Sequence, residues 1–205
     1  MDRQLSLAVV LFDDFELLDV FGPLEMFGMY PEQFSIHLVA EKNTVVTSAQ
    51  GPRSVLDHHF SDEVAFDILL VPGGRGTRVE VENPVILAWL QAQSKTAQFV
   101  TSVCTGSALL AKAGLLDGRR ATGNKLSFSF VESQGPDVDW QKQARWVEDG
   151  HFFTSSGVSA GIDMSLALIE NIMSEEAADQ AATWAEYEWH KDPRWDPFAK
   201  IHGLV

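Results

Sequence analysis

The sequence predicts an α/β protein in which a mostly parallel sheet carries helices on both faces. Three observations point there. Short, nearly continuous apolar runs at 5–12, 66–71 and 99–102 have the pattern of strands covered on both sides. Segments with apolar residues near helical spacing lie between them, and strands alternating with helices imply parallel pairing through crossovers. The loops that follow the runs, beginning at Asp13, Pro72 and Val103, would lie together at the carboxyl ends of the strands, where such sheets bind ligands.

In order, Leu5 to Phe12 is the first buried strand, closed by Asp13 and Asp14. Leu17, Leu18, Phe21, Leu24 and Phe27 follow at helical spacing, and Pro23 places the expected helix start close to Gly22-Pro23. Asp19 falls between Leu18 and Val20, so it needs a partner, carries a raised pKa, or caps the helix. Phe34 to Ala40 alternates as a second strand, and 44–47 with the residues around Val55 suggests a hairpin near Gln50-Gly51-Pro52. His58 and His59 are adjacent, so on a strand they point to opposite faces, and no metal site is expected. After the strand Phe66 to Val71 comes Pro72-Gly73-Gly74-Arg75-Gly76-Thr77, where backbone N–H groups can approach a ligand. It lacks both the P-loop ending and the dinucleotide spacing. Asn83 caps a helix that has Pro84 first and runs to about Ser94.

Phe99 to Leu110 reads as strand, abrupt turn and helix, with the only cysteine of the chain, Cys104, on the turn. Such an elbow presents the thiol to a crevice near helix N-terminal N–H groups. The residue types allow a nucleophile or a small buried hydrophobe. Beyond it, short strands are expected at Arg119 to Thr122 and Val138 to Trp140, with a short helix at Phe128 to Ser133 between them. A hairpin turns at Asp149-Gly150 between strands 144–148 and 151–154. A Ser/Gly bend at 155–161 opens an apolar helix, Ile162 to Met173, followed by a polar one, Glu175 to Glu188. The stretch Trp189 to Phe198 is too rich in Pro and Trp to be helical, and its aromatics must pack on the domain or on a second subunit.

The 205 residues, 45% hydrophobic and 21% charged, fit a single domain, 1–190, with a C-terminal tail, 191–205. A net charge of −14 argues against nucleic acid or an anionic membrane as partner. One cysteine excludes an intrachain disulfide and a multi-cysteine metal site. No apolar run reaches membrane-spanning length, and the N-terminus lacks a signal-peptide pattern, so a cytoplasmic location is expected.

Four segments together resemble the DJ-1/PfpI family of the class I glutamine amidotransferase-like superfamily: 13–25, 67–74, 101–107 and 157–163, in the family's order. The resemblance covers residues 5 to about 190 and implies a flavodoxin-like three-layer sandwich and a homodimer. Asp19-Val-Phe-Gly-Pro23 and Ser102-Val-Cys-Thr-Gly106 resemble isocyanide hydratases, and also the ligand-sensing domains of some AraC-type regulators. With Val205 as the last residue, no helix-turn-helix region is expected. The hydratase resemblance implies a small-molecule substrate, no cofactor, and Cys104 attacking the terminal carbon of an isocyanide. Asp19 would orient or move protons, and water would resolve a thioimidate to an N-substituted formamide. Thr105, Gly73 and Gly74 would hold developing charge or the water. Many relatives have a histidine in the loop corresponding to Gly123-Asn124-Lys125, and here Asn124 stands instead, so the basis for Cys-His chemistry is lost. Asn124, Lys125, Arg75 and Ser156 are expected to line the pocket, although Asn124 also suits a turn, Lys125 a solvated position and Ser156 the bend. Asp163 could lie near the site, but is expected rather to cap its helix or tie it to a neighbour. The alternatives are a redox-responsive or glyoxalase-type protein with an oxidisable Cys104, and a ligand-binding module without turnover.

Overall fold

The computed structural model describes residues 3–42 and 44–205. In chain order the elements are β1 (Leu5–Val10), α1 (Leu17–Gly28), β2 (Phe34–Ala40), β3 (Val45–Thr47), β4 (Arg53–Val55), β5 (His58–His59) and β6 (Ile68–Val71). Then come α2 (Thr77–Glu80), α3 (Pro84–Gln93), β7 (Phe99–Ser102), α4 (Gly106–Lys112), β8 (Arg120–Ala121) and α5 (Phe128–Gln134). The chain continues with β9 (Asp139–Trp140), β10 (Trp146–Asp149), β11 (Phe152–Ser155), α6 (Ala160–Ile172), α7 (Glu175–Trp184) and α8 (Pro197–Ile201).

Seven strands form one sheet in the order β10-β11-β7-β6-β1-β2-β5, parallel throughout except for β10 against β11. The apolar runs are its centre: residues 7–11 and 68–71 are sealed from solvent. Leaving β1 the chain moves to β2, whereas from β6 it moves the other way to β7. Right-handed crossovers therefore put α1 and α3 on opposite faces. Helix α6 packs between α1 and α7, while α4 packs with α2, α3 and α5, completing the three layers. The order β2-β1-β6-β7-β11 is the flavodoxin-like arrangement, and the crevice between β1 and β6 is its topological switch point. The hairpin β3–β4 and the pair β8–β9 stand apart from the main sheet. No helix among the described residues is long and apolar enough to cross a membrane.

Helix α1 starts five residues earlier than Pro23 suggests, and Pro23 lies inside it. A proline there removes one intrahelical hydrogen bond and costs about 3 kcal/mol. Packing offsets that loss: α1 buries Val20, Met26 and Phe27 and crosses α6 so closely that a Cβ on Gly22 would lie 2.8 Å from Ile162 Cγ1. As a result Asp19 is in the first turn of the helix, not at its cap. Asn83 caps α3 as expected, accepting the Val85 N–H at 3.0 Å.

The C-terminal region departs further from expectation. Helix α7 ends at Trp184, short of Glu188, and Glu186 takes a left-handed φ of 49°. That turn lets Tyr187 Oη and the His190 N–H each donate to Asp163 Oδ1 at 3.0 Å. The tail is not free of helix either. Asp196 accepts the Phe198 N–H at 2.9 Å and Pro197 occupies the first helical position, which starts the short α8.

Candidate active site

Cys104 sits between β7 and α4 with φ 62°, a left-handed conformation that a residue with a Cβ seldom adopts. Three backbone bonds fix it there. Its N–H donates to Ser156 O at 3.0 Å, its carbonyl accepts the Asn124 N–H at 3.1 Å, and the Gly106 N–H closes the turn on Val103 O at 2.9 Å. The thiol is 6% exposed, at the carboxyl edge of the sheet beside the loops after β1, β6 and β11.

Asp19 comes from the other side of the switch point and is fully buried. Its Oδ2 accepts the Gly73 N–H at 2.8 Å, while Oδ1 makes no hydrogen bond of ordinary geometry. The Glu16 charge, the Cys104 thiol and the Val158 N–H also act on the carboxylate. Burial raises the Asp19 pKa to about 7, against the lowering effect of the Gly73 N–H. Burial first, and the Asp19 charge second, push the Cys104 thiol up, while the Thr105 and Val158 N–H groups and the Asn124 amide pull it down. Burial and the neighbouring carboxylate thus favour the thiol form, against the pull of the surrounding N–H groups.

The loop after β6 serves these two residues through its backbone. A Cβ on Gly73 would fall 2.5 Å from Thr105 N and 2.9 Å from Asp19 Oδ2, so only glycine lets the chain pass between carboxylate and elbow. Gly74 N–H donates to Thr105 Oγ1 at 3.1 Å, and Thr77 Oγ1 lies 3.0 Å from the same oxygen. The Gly73 and Gly74 N–H groups are thereby both engaged inside the protein. The Thr105 hydroxyl ties the loop to the elbow, and the Thr105 backbone N–H acts on the sulfur together with that of Val158.

Asn124 Oδ1 accepts the Ser127 N–H at 2.8 Å, which leaves its amide nitrogen as the end that can donate to the sulfur. Gly157 packs against that nitrogen so tightly that a Cβ there would overlap it. Asn124 supplies a hydrogen-bond donor in this position, without the proton-accepting capacity of an imidazole.

Asn124, Lys125 and Ser156 line a cavity of about 170 Å³ together with Val158, Phe198 and His202. Lys125 is buried, which overturns a solvated reading. Its Nζ donates to Thr122 Oγ1 at 2.7 Å and Ala144 O at 2.6 Å, so its charge belongs to that support. Burial lowers its pKa to about 8. Arg75 is exposed and makes no side-chain hydrogen bond or ion pair among the described residues; it does not line this cavity.

Two features escape a reading of the sequence. Val158 has φ 52°, a rare conformation for a β-branched residue, and its N–H acts on both Asp19 and Cys104. The available signal was its place in a Gly/Ser-rich bend at the end of a strand. The other is a buried charge cluster behind the cavity. Arg145 Nε contacts Asp163 Oδ2 at 2.7 Å, its guanidinium lies 3.5 Å from Asp196 Oδ2, and the Asp196 charge also acts on Lys125. Asp163 ties its helix to this cluster, although burial raises its pKa.

Residues 5–171 match the model of the DJ-1/PfpI family. Isonitrile hydratase of Pseudomonas putida is 34% identical over 185 residues, covering 89% of this chain and 78% of that protein. The HTH-type transcriptional regulator GbdR of Pseudomonas aeruginosa is 30% identical over 169 residues, which span 80% of this chain but 46% of the regulator. Among solved structures, a ThiJ/PfpI family protein from Pseudomonas syringae superposes with a TM-score of 0.81 at 28% identity, covering 91% of this chain and 76% of that one.

Proposed function

Because this chain belongs to the DJ-1/PfpI family, we propose that it is a cysteine-dependent hydratase converting an isocyanide and water to an N-substituted formamide. The observation that carries the reading is the pairing of Cys104 with Asp19 where no histidine base stands, alongside 34% identity to an isonitrile hydratase. Asp19 takes the thiol proton as the sulfur bonds to the terminal isocyanide carbon, and returns that proton to the same carbon. The product is a thioimidate, Cys–S–CH=N–R. Water then adds to its carbon, one water proton passes to nitrogen, and the C–S bond breaks as the remaining hydroxyl proton returns to sulfur. Formamide and free thiol result. The Asn124 amide and the Thr105 and Val158 N–H groups steady the negative charge as it grows on sulfur.

The net reaction is a hydration without oxidation or reduction, so it calls for no redox cofactor. The reading also carries a homodimer, a cytoplasmic location, and a tail, 191–205, docked on one domain of residues 1–190. Incubation with cyclohexyl isocyanide should release N-cyclohexylformamide, detected by mass spectrometry, and Cys104→Ala should release none. Absence of turnover by the wild type, or turnover unaffected in Cys104→Ala, would overturn the reading. Sedimentation velocity tests the dimer separately.

A further inference from the structure

One wall of the cavity beside Cys104 comes from outside the segment that matches the family. Asn124, Ser156 and Val158, which line the cavity and also act on or hydrogen-bond to Cys104, lie within residues 5–171, whereas Phe198 and His202, which face the same cavity, belong to α8 and its C-terminal end. Phe198 is half-exposed, at the rim, and Val158 lies on the same cavity nearer the sulfur. No charge is turned into this space from the Lys125 side, because its ammonium is held by Thr122 and Ala144.

Buried polar contacts hold α8 in this place. The Asp196 N–H donates to Gln143 O at 2.8 Å while its side chain caps the helix, and the Arg145 N–H donates to Pro193 O at 2.7 Å. The Arg145 guanidinium lies between Asp163 of α6 and Asp196. Arg145, Asp163 and Asp196 are all buried, so shifting α8 would leave charges without partners in a medium that solvates them poorly. Phe198 is therefore carried on a fixed support.

We propose that Phe198 is a specificity-determining residue of the Cys104 site. The α8 wall limits the group attached to the reacting carbon to a neutral, apolar substituent of about one ring. An apolar cavity of about 150 Å³ holds benzene, and the space here is about 170 Å³. The proposal rests on Cys104 being the reactive group of the proposed function, but it does not depend on hydration as the reaction.

Cys104 is the only cysteine, so its alkylation reads access to the sulfur past this cavity. N-ethyl-, N-cyclohexyl- and N-(1-naphthyl)maleimide are compared in the wild type, Phe198→Ala and Phe198→Trp, each first checked for cooperative thermal unfolding. The naphthyl-to-ethyl rate ratio should rise about tenfold in Phe198→Ala, and the cyclohexyl-to-ethyl ratio should fall about tenfold in Phe198→Trp. The same substituents supplied as isocyanides should show the same ordering, mainly through KM. Ratios unmoved in both variants overturn the proposal even where formamide forms. Ratios that move as expected while no isocyanide is hydrated support the wall and overturn the hydratase reading alone.

Discussion

Asp19 accepts the Gly73 N–H at 2.8 Å and acts on the Cys104 thiol from within the protein, so one sealed carboxylate joins the loop after β6 to the elbow after β7. Its burial sets both its basicity and its cost to the fold.

Replacing Asp19 by Asn should abolish turnover and yet stabilise the protein above neutral pH. The folded-state pKa is raised to about 7 from 3.8, so the native state keeps a proton that the unfolded chain loses. Wild-type stability therefore falls as pH rises across that window. The gain in Asp19→Asn should grow between about pH 4 and pH 7 and then level off, on the order of a few kcal/mol. Urea unfolding at pH 5 and pH 8 measures it. A gain that is no larger at pH 8 than at pH 5 contradicts this account.

The pH dependence of reaction at Cys104 should follow the same carboxylate. Its ionised form takes the thiol proton, so initial alkylation rates and kcat/KM should rise with pH through about 7. Asp19→Asn should lose that step and retain only a rise at much higher pH, from the thiol itself.

Asn124→Ala should lower the rate of reaction at Cys104 about 10–100-fold, the effect of losing one hydrogen bond to a charged group. Thermal unfolding should change little by comparison. A rate within twofold of wild type would remove the amide from the charge-stabilising set.

Slow oxidation is expected of the resting thiol. Burial and the adjacent carboxylate push its pKa up, and the thiolate is the form that peroxide attacks. Mass spectrometry under graded peroxide should find Cys104 modified no faster than a cysteine in a short unstructured peptide. Rapid, selective conversion to the sulfinate would favour a redox-responsive role.

Arg145→Met should destabilise the protein by about 3–5 kcal/mol, because it leaves Asp163 and Asp196 without their shared buried cation. Denaturant unfolding reads the loss, and maleimide access to Cys104 should become less selective as α8 loosens.

How far the sequence disclosed this molecule follows from the range of each interaction. The buried strands and the Asn83–Pro84 helix start were legible because local pattern and tertiary setting agree there. Pro23 misled because its local cost is outweighed by α1 packing through Gly22 against Ile162, a contact 140 residues distant in the chain that no short window contains. Asp196–Pro197 carries the same start signal as Asn83–Pro84, but the surrounding tryptophans and prolines masked it. Cys104 and Asp19 could be singled out by residue type and setting. The state of the thiol could not, since it depends on how completely both groups are sealed. The α8 wall was hidden for a related reason: Arg145, Asp163 and Asp196 look like ordinary surface charges until the fold encloses them.

That enclosure also limits how sequences of this kind can diverge. Lys125 and Arg145 against Asp163 and Asp196 make a set with no net charge, held under the pocket wall. A mutation at one position strands an opposite charge out of water, whereas joint replacement by well-fitted apolar residues can be nearly neutral. The four positions are therefore expected to drift as a group or stand still, with single-step intermediates selected against, while the exposed Phe198 beside them is free to vary and retune the pocket.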